Sequence, residues 1–149
     1  MQNLNSFLNK RDYIAVKMFD NQVGHFAVHV LLNGKPEVFI VDTGAGATVI
    51  DEGYARSQGF ELEEIDGFGG GIGNSQMSIF MVRINKLEIG DFTFENMTAV
   101  AMDLSNVKQS LEMKGVNSDV YGILGTDILR TYEAVIDYGS ETLFLKMKD

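Results

Sequence analysis

Val38-Phe39-Ile40-Val41-Asp42-Thr43-Gly44-Ala45-Gly46-Ala47-Thr48-Val49-Ile50 is the stretch that decides the fold. Val38 to Val41 is an unbroken apolar run and reads as a buried strand. The strand delivers an acidic residue, Asp42, into a turn, and Gly44 and Gly46 let the backbone bend there. A second apolar run follows at once with Val49-Ile50. A buried strand that ends on a carboxylate costs stability unless the carboxylate has a partner or a use. One use is structural, because Asp caps turns through its own backbone. The other is chemical, and spacing alone leaves both open.

Asp42-Thr43-Gly44, preceded by apolar residues and followed by Ala45, resembles the catalytic loop of aspartic proteases. The Ala after the Gly is closer to the retroviral type, the retropepsins, than to the pepsin type. A second motif, Val120-Tyr121-Gly122-Ile123-Leu124-Gly125-Thr126-Asp127-Ile128-Leu129, resembles the other half of the retropepsin signature. Alone, Ile123-Leu124-Gly125 would be an ordinary core strand ending on glycine. In the family this segment packs beside the Asp loop and leads into a helix and a last strand. Here those would be residues 126–131 and 134–138, with Gly139-Ser140 turning into a C-terminal strand over 142–145. The order of Asp loop, Gly-rich hairpin, Ile-Leu-Gly, helix and Ile136-Asp137-Tyr138 carries the resemblance, which spans residues 13–147. It implies an all-β fold: a closed, barrel-like acid-protease fold with one or more short helices.

The rest of the sequence fits one such domain. The chain has 149 residues, enough to bury a sizeable core, and its apolar fraction of 45% is ordinary for a globular protein. No apolar run approaches the roughly 18 residues of a membrane-spanning helix. The polar start, Met1 to Lys10, lacks the apolar centre of a signal peptide. The chain as it stands therefore reads as cytoplasmic, as would one trimmed of a leader. The net charge of −9 disfavours nucleic acid and anionic membrane as partners. There is no cysteine, hence no disulfide and no thiol chemistry.

In chain order, residues 1–12 are expected as a loose N-terminal arm and 13–149 as a single retropepsin-like domain. Residues 13–19 and 25–32 read as strands. Asn33-Gly34 is a strong hairpin signal, and residues 37–41 run back to Asp42. Residues 51–58 read as a short helix with acids at its start and Gly59 as its stop. Residues 61–66 read as an exposed strand and 78–87 as another. Gly90-Asp91 turns the chain into a return strand over 92–102, with apolar positions at Phe92, Phe94, Val100 and Met102. Residues 103–114 read as a helix or loop begun by a capping Asp103.

Gly67-Phe68-Gly69-Gly70-Gly71-Ile72-Gly73-Asn74 is too glycine-rich to be a packed element. Its spacing fits no phosphate-binding loop. Between apolar flanks it reads as the tip of a β-hairpin, and retropepsins carry a Gly-rich flap in the corresponding place. His25 and His29, the two histidines of the chain, would share a strand face. Nothing nearby supplies the third ligand of a metal site, so both read as plain surface. Asp127 falls in the first turn of a helix, where free N–H groups stabilise a carboxylate. Asp137 ends a strand before a glycine turn. Neither is followed by Thr-Gly or Ser-Gly, and neither is expected in the catalytic site.

Aspartic proteolysis needs two carboxylates sharing a proton, one to activate water and one to polarise the carbonyl. This chain has a single Asp-Thr-Gly. The resemblance therefore implies a homodimer whose two-fold axis passes between the two Asp42 side chains. It implies catalytic roles for Asp42, Thr43 and Gly44, with Thr43 bonding across the dimer. Substrate contacts would fall to Ala45 and to flap residues Gly69, Gly70, Gly71 and Ile72. The expected partner is a peptide or protein substrate held as an extended strand; no metal and no cofactor are expected. No G-x-S-x-G, cysteine nucleophile or phosphate loop supports another enzyme class. The rival is a module of the same fold that binds peptides or dimerises without cutting. In a third possibility, a different protein supplies the second half-site.

Overall fold

Asn33 (φ 50°) and Gly34 (φ 84°) both take the left-handed backbone that a two-residue hairpin requires, and they fold one apolar run onto the next. The computed structural model describes residues 3–21, 24–65, 78–113, 115 and 120–148. In chain order its elements are α1 (Leu4–Asn9), β1 (Tyr13–Lys17), β2 (Phe19–Asp20), β3 (Phe26–Leu32), β4 (Lys35–Val41) and β5 (Val49–Asp51). There follow α2 (Glu52–Ser57), β6 (Leu62–Glu64), β7 (Phe80–Ile89), β8 (Phe92–Met102) and α3 (Ser105–Met113). β9 (Gly122–Leu124), α4 (Thr126–Thr131), β10 (Val135–Asp137) and β11 (Thr142–Lys146) complete the chain. The expected flap, residues 67–74, lies outside the described residues.

The fold is all-β, a closed barrel with short helices. Strands β3, β4, β9, β5, β8 and β7 neighbour one another in that order, and β7 returns to β3 through Val30↔Ile89 and Leu32↔Leu87. β2 and β6 extend the sheet, and β1, β11 and β10 form a separate three-stranded sheet. Phe39, Ile50, Ile84, Leu87, Leu124 and Leu143 are fully buried. Each such side chain contributes about 1.5–3 kcal/mol relative to an exposed one. β4 and β9 run parallel, pairing Phe39 with Gly122 and Val41 with Leu124. The Phe39 ring lies over Gly122, where any Cβ would overlap it.

Four sequence expectations change. The loose arm contains α1: Asn3 caps it by accepting the Ser6 N–H at 2.8 Å, and Leu8 is buried. The strand over 13–19 splits at Met18. β1 pairs with β11, the Met18 N–H donates to the Glu141 carbonyl at 2.8 Å, and β2 joins β3 in the other sheet. Met18, 1% exposed, is the buried crossing point between the sheets. His25 and His29 do not share a strand face, because β3 begins at Phe26. His29 stacks on Phe19 at 4.6 Å, while His25 stays in the preceding turn.

The return strand has the expected bounds but not the expected phase. Phe92 and Phe94 point inward, yet farther along it is Ala99 and Ala101 that are buried, not Val100 and Met102. Asn96 is the cause. Its left-handed backbone (φ 52°) interrupts the alternation, and β7 switches faces opposite it, from Leu87 and Ile89 to Val82 and Ile84.

Candidate active site

Asp42 follows the last residue of β4. Its backbone N–H donates to the Leu124 carbonyl at 3.0 Å, so the parallel strand β9 fixes where the carboxylate emerges. The Gly44 N–H then donates to Asp42 Oδ1 at 2.8 Å. A Cβ at position 44 would stand 3.2 Å from that oxygen, which is why glycine suits the site. The other oxygen, Oδ2, accepts no hydrogen bond among the described residues. The Asp42 side chain is half-buried, whereas Thr43 and Gly44 are exposed. Ala45 turns both backbone groups into the loop. Its N–H donates to the Asp42 carbonyl at 3.3 Å, and its carbonyl accepts the Thr126 N–H at 2.7 Å. Only its methyl is then free for a substrate. Gly69, Gly70, Gly71 and Ile72 lie outside the described residues.

The loop is sewn to the second motif by groups that sequence spacing did not single out. Asp127 accepts the Thr48 N–H at 2.9 Å with one oxygen and the Thr48 hydroxyl at 2.8 Å with the other. It also accepts the Ile128 N–H at 2.8 Å. The fully buried Thr48 hydroxyl in turn accepts the Gly125 N–H at 3.1 Å. Gly125 must be glycine because any Cβ would overlap the Ala47 carbonyl. Asp127 therefore does sit in the first turn of α4, but it holds the Asp42 loop as well as its own helix. The pairing spans 79 residues of chain, and its one local trace is an acid just after Ile-Leu-Gly.

Three other carboxylates are tied into the fold by hydrogen bonds. Asp51 caps α2 through the Tyr54 N–H (3.1 Å), accepts the Leu104 N–H (3.0 Å) and meets Lys108 Nζ (3.3 Å). Glu37 accepts the Tyr54 hydroxyl at 3.0 Å. Burial, and then the Glu37 hydrogen bond and charge, push the Tyr54 hydroxyl well above its ordinary pKa, so it remains a donor. Asp137 accepts the Gly139 N–H (3.0 Å) and the Ser140 hydroxyl (2.7 Å) and braces a turn. Asp42 differs from Asp51 and Asp137 in having one oxygen that accepts no hydrogen bond among the described residues.

A small cavity of about 140 Å³ opens at Asp42, lined also by Thr43, Val41, His25, Phe26, Ile136 and Tyr138. Spacing did not point to His25 or Tyr138, because neither is near Asp42 in sequence. A wider groove of about 680 Å³ lies along the β3–β4 hairpin by His29, Leu31, Pro36 and Tyr121. It contains no part of the Asp42 loop, so its size is not a sign of this chemistry.

An Asp-Thr-Gly loop hung from parallel strands in a closed barrel defines the class of retropepsin-like aspartic proteases. The family described as "Aspartyl protease" matches residues 28–128, and the chain belongs to that family. Among curated proteins none matches the chain. Three solved structures share the fold. A retropepsin-like aspartic protease from Rickettsia conorii is 20% identical, with 89% of each chain covered and a TM-score of 0.57. The EIAV protease complexed with the inhibitor HBY-793 is 21% identical over 80% of this chain and 98% of its own, with a TM-score of 0.54. The retroviral protease-like domain of Ddi1 from Leishmania major is 16% identical over 83% of this chain and 89% of its own, with a TM-score of 0.55.

Proposed function

We propose that this protein is an aspartic endopeptidase that cleaves peptide bonds with a water activated by two Asp42 carboxylates, one from each chain of a homodimer. The observation that carries the reading is the state of Asp42. One oxygen is oriented by the Gly44 N–H, the other accepts no hydrogen bond among the described residues, and Asp42 lines a cavity. A single chain holds one such group, so a second copy supplies the other.

Two carboxylates within hydrogen-bonding reach cannot both ionise readily and hold one proton between them. The ionised Asp42 takes a proton from the bound water, which attacks the peptide carbonyl carbon. The protonated Asp42 donates to the carbonyl oxygen as it gains charge. The tetrahedral intermediate then collapses: the leaving nitrogen takes the proton that came from water as the C–N bond breaks, and one hydroxyl of the intermediate returns its proton to the other Asp42 as the C=O bond re-forms, restoring the shared proton. Thr43, exposed at the loop tip, bonds across the dimer. The substrate lies extended over Asp42 and the Ala45 methyl, and the reading assigns it further contacts to Gly69, Gly70, Gly71 and Ile72.

The test is incubation of the purified chain with a peptide library at mildly acid pH, with and without a pepstatin-like inhibitor. Inhibitable cleavage that disappears in Asp42→Asn, with the fold intact by circular dichroism, is expected. Undiminished cleavage by Asp42→Asn overturns the assignment and leaves a peptide-binding or dimerising module as the better account.

A further inference from the structure

A cavity of about 550 Å³ lies between the tip of the β3–β4 hairpin, the end of α2 and strand β7, and no residue of the Asp42 loop lines it. Two cations line it, Lys35 and Arg83, against one carboxylate, Glu61, in a chain whose net charge is −9. Arg83 forms no ion pair among the described residues, with Glu61 or with any other acid. Its neighbours in the cavity are held in place. The Lys35 ammonium stands 3.9 Å from Glu37 and 5.5 Å from the centre of the Tyr54 ring. Asn33 Oδ1 accepts the Lys86 N–H at 2.9 Å, which fixes the amide and leaves its NH2 group to donate elsewhere. Tyr54 is buried and meets the Phe60 ring edge-on at 6.3 Å, so the aromatic wall is stiff. The end of α2 does not oppose an anion strongly. Its Tyr54, Ala55 and Arg56 carbonyls already accept the Gln58, Phe60 and Gly59 N–H groups.

We propose that this cavity binds the phosphate group of a small molecule. The Arg83 guanidinium presents its fork to two phosphate oxygens, the Asn33 NH2 group donates to a third, and Lys35 supplies the second positive charge. Phosphate suits this donor set better than carboxylate does. A phosphate monoester offers three terminal oxygens and nearly two negative charges near neutral pH, whereas a carboxylate offers two oxygens and one charge. Glu37 offsets part of the Lys35 charge, so Arg83 is the stronger of the two holds. Glu61 limits the rest of the ligand: a hydroxyl or amino group is favoured there over a second acid. Binding ties the hairpin tip, α2 and β7 together, so it stabilises the fold by mass action. Nothing in it uses Asp42, and it holds whether or not the chain cleaves peptides.

The experiment is a titration of the full chain with inorganic phosphate near neutral pH, followed by the NMR shifts of backbone amides, with ionic strength held constant by chloride. Saturable shifts are expected at Asn33, Lys35, Gln58, Arg83 and Asn85, all of which line the cavity. Arg83→Gln should weaken binding by about tenfold or more, since it removes a charge-assisted fork. Arg83 is exposed and makes no contact that the fold needs, so the variant should melt like wild type in the absence of phosphate. Asn33→Asp keeps the oxygen that accepts the Lys86 N–H and tolerates the left-handed backbone, but replaces the donor with a negative charge; it should weaken binding by a similar factor. Lys10→Gln removes the same charge outside the cavity and should change affinity less than about twofold, because salt screens distant surface charges. Acetate should bind about tenfold more weakly than phosphate, having fewer oxygens and less charge. Shifts that never saturate, or an equal loss in Lys10→Gln and Arg83→Gln, would reduce the effect to general electrostatics and overturn the site. Acetate binding as tightly as phosphate overturns the choice of ligand.

Discussion

Asp127→Ala tests whether the Asp42 loop is held from a distance. The substitution removes acceptors for the Thr48 N–H (2.9 Å), the Thr48 hydroxyl (2.8 Å) and the Ile128 N–H (2.8 Å). Thr48 is 0% exposed, so no water replaces the lost partner of its N–H. An unsatisfied buried donor costs about 1–3 kcal/mol, and the lost hydroxyl bond about 1 kcal/mol. Removing a carboxylate from the first turn of α4 adds about 0.3–1 kcal/mol. The expected loss is therefore about 2–5 kcal/mol. In a chain of this size that lowers Tm by roughly 4–20 °C. Asp127→Asn keeps an acceptor for the Thr48 N–H but presents an NH2 group where two donors now converge, so it should fall between Ala and wild type. The measurement is thermal and urea unfolding at one fixed protein concentration, since association contributes to apparent stability. Cleavage measured well below the melting temperature should also fall, because the Gly125–Thr48 contact that seats the loop loosens with it. A loss below about 1 kcal/mol in Asp127→Ala, with cleavage unchanged, refutes the idea that this carboxylate holds the site.

Three further outcomes follow from named contacts. Mixing excess Asp42→Asn chains with wild type should titrate cleavage away, since mixed dimers carry one working carboxylate; an active site built within one chain would show no such loss. Gly125→Ala should destabilise by more than about 3 kcal/mol, read from the urea midpoint, because the new methyl meets the Ala47 backbone carbonyl, which cannot swing aside like a side chain. Tyr54→Phe should cost about 1.5–3 kcal/mol near neutral pH by leaving the Glu37 carboxylate without its hydroxyl donor. The Tyr54 hydroxyl has a raised pKa in the fold, so its contribution is complete below the unfolded value of about 10 and is lost as pH rises beyond it. Wild type should therefore lose stability above about pH 10 by a component that Tyr54→Phe lacks, as urea unfolding across alkaline pH would show.

What the sequence determined by itself was local. The apolar run into Asp42, the Asn33-Gly34 turn, the acidic start and Gly59 stop of α2, and the bounds of β8 each follow from neighbouring residues, where backbone preference and side-chain period act. The motif order then pointed to the fold through resemblance. Tertiary structure decided the rest. Whether β7 closes on β3, where Met18 crosses between sheets, and how Asn96 turns Ala99 and Ala101 inward depend on which surfaces meet. The same holds at the site. Asp127 reaches Thr48 across 79 residues, and Tyr138 and His25 arrive beside Asp42 from opposite ends of the chain. Periodicity sees neighbours along the chain, whereas these contacts exist only after loops have closed and β9 has slid in parallel beside β4.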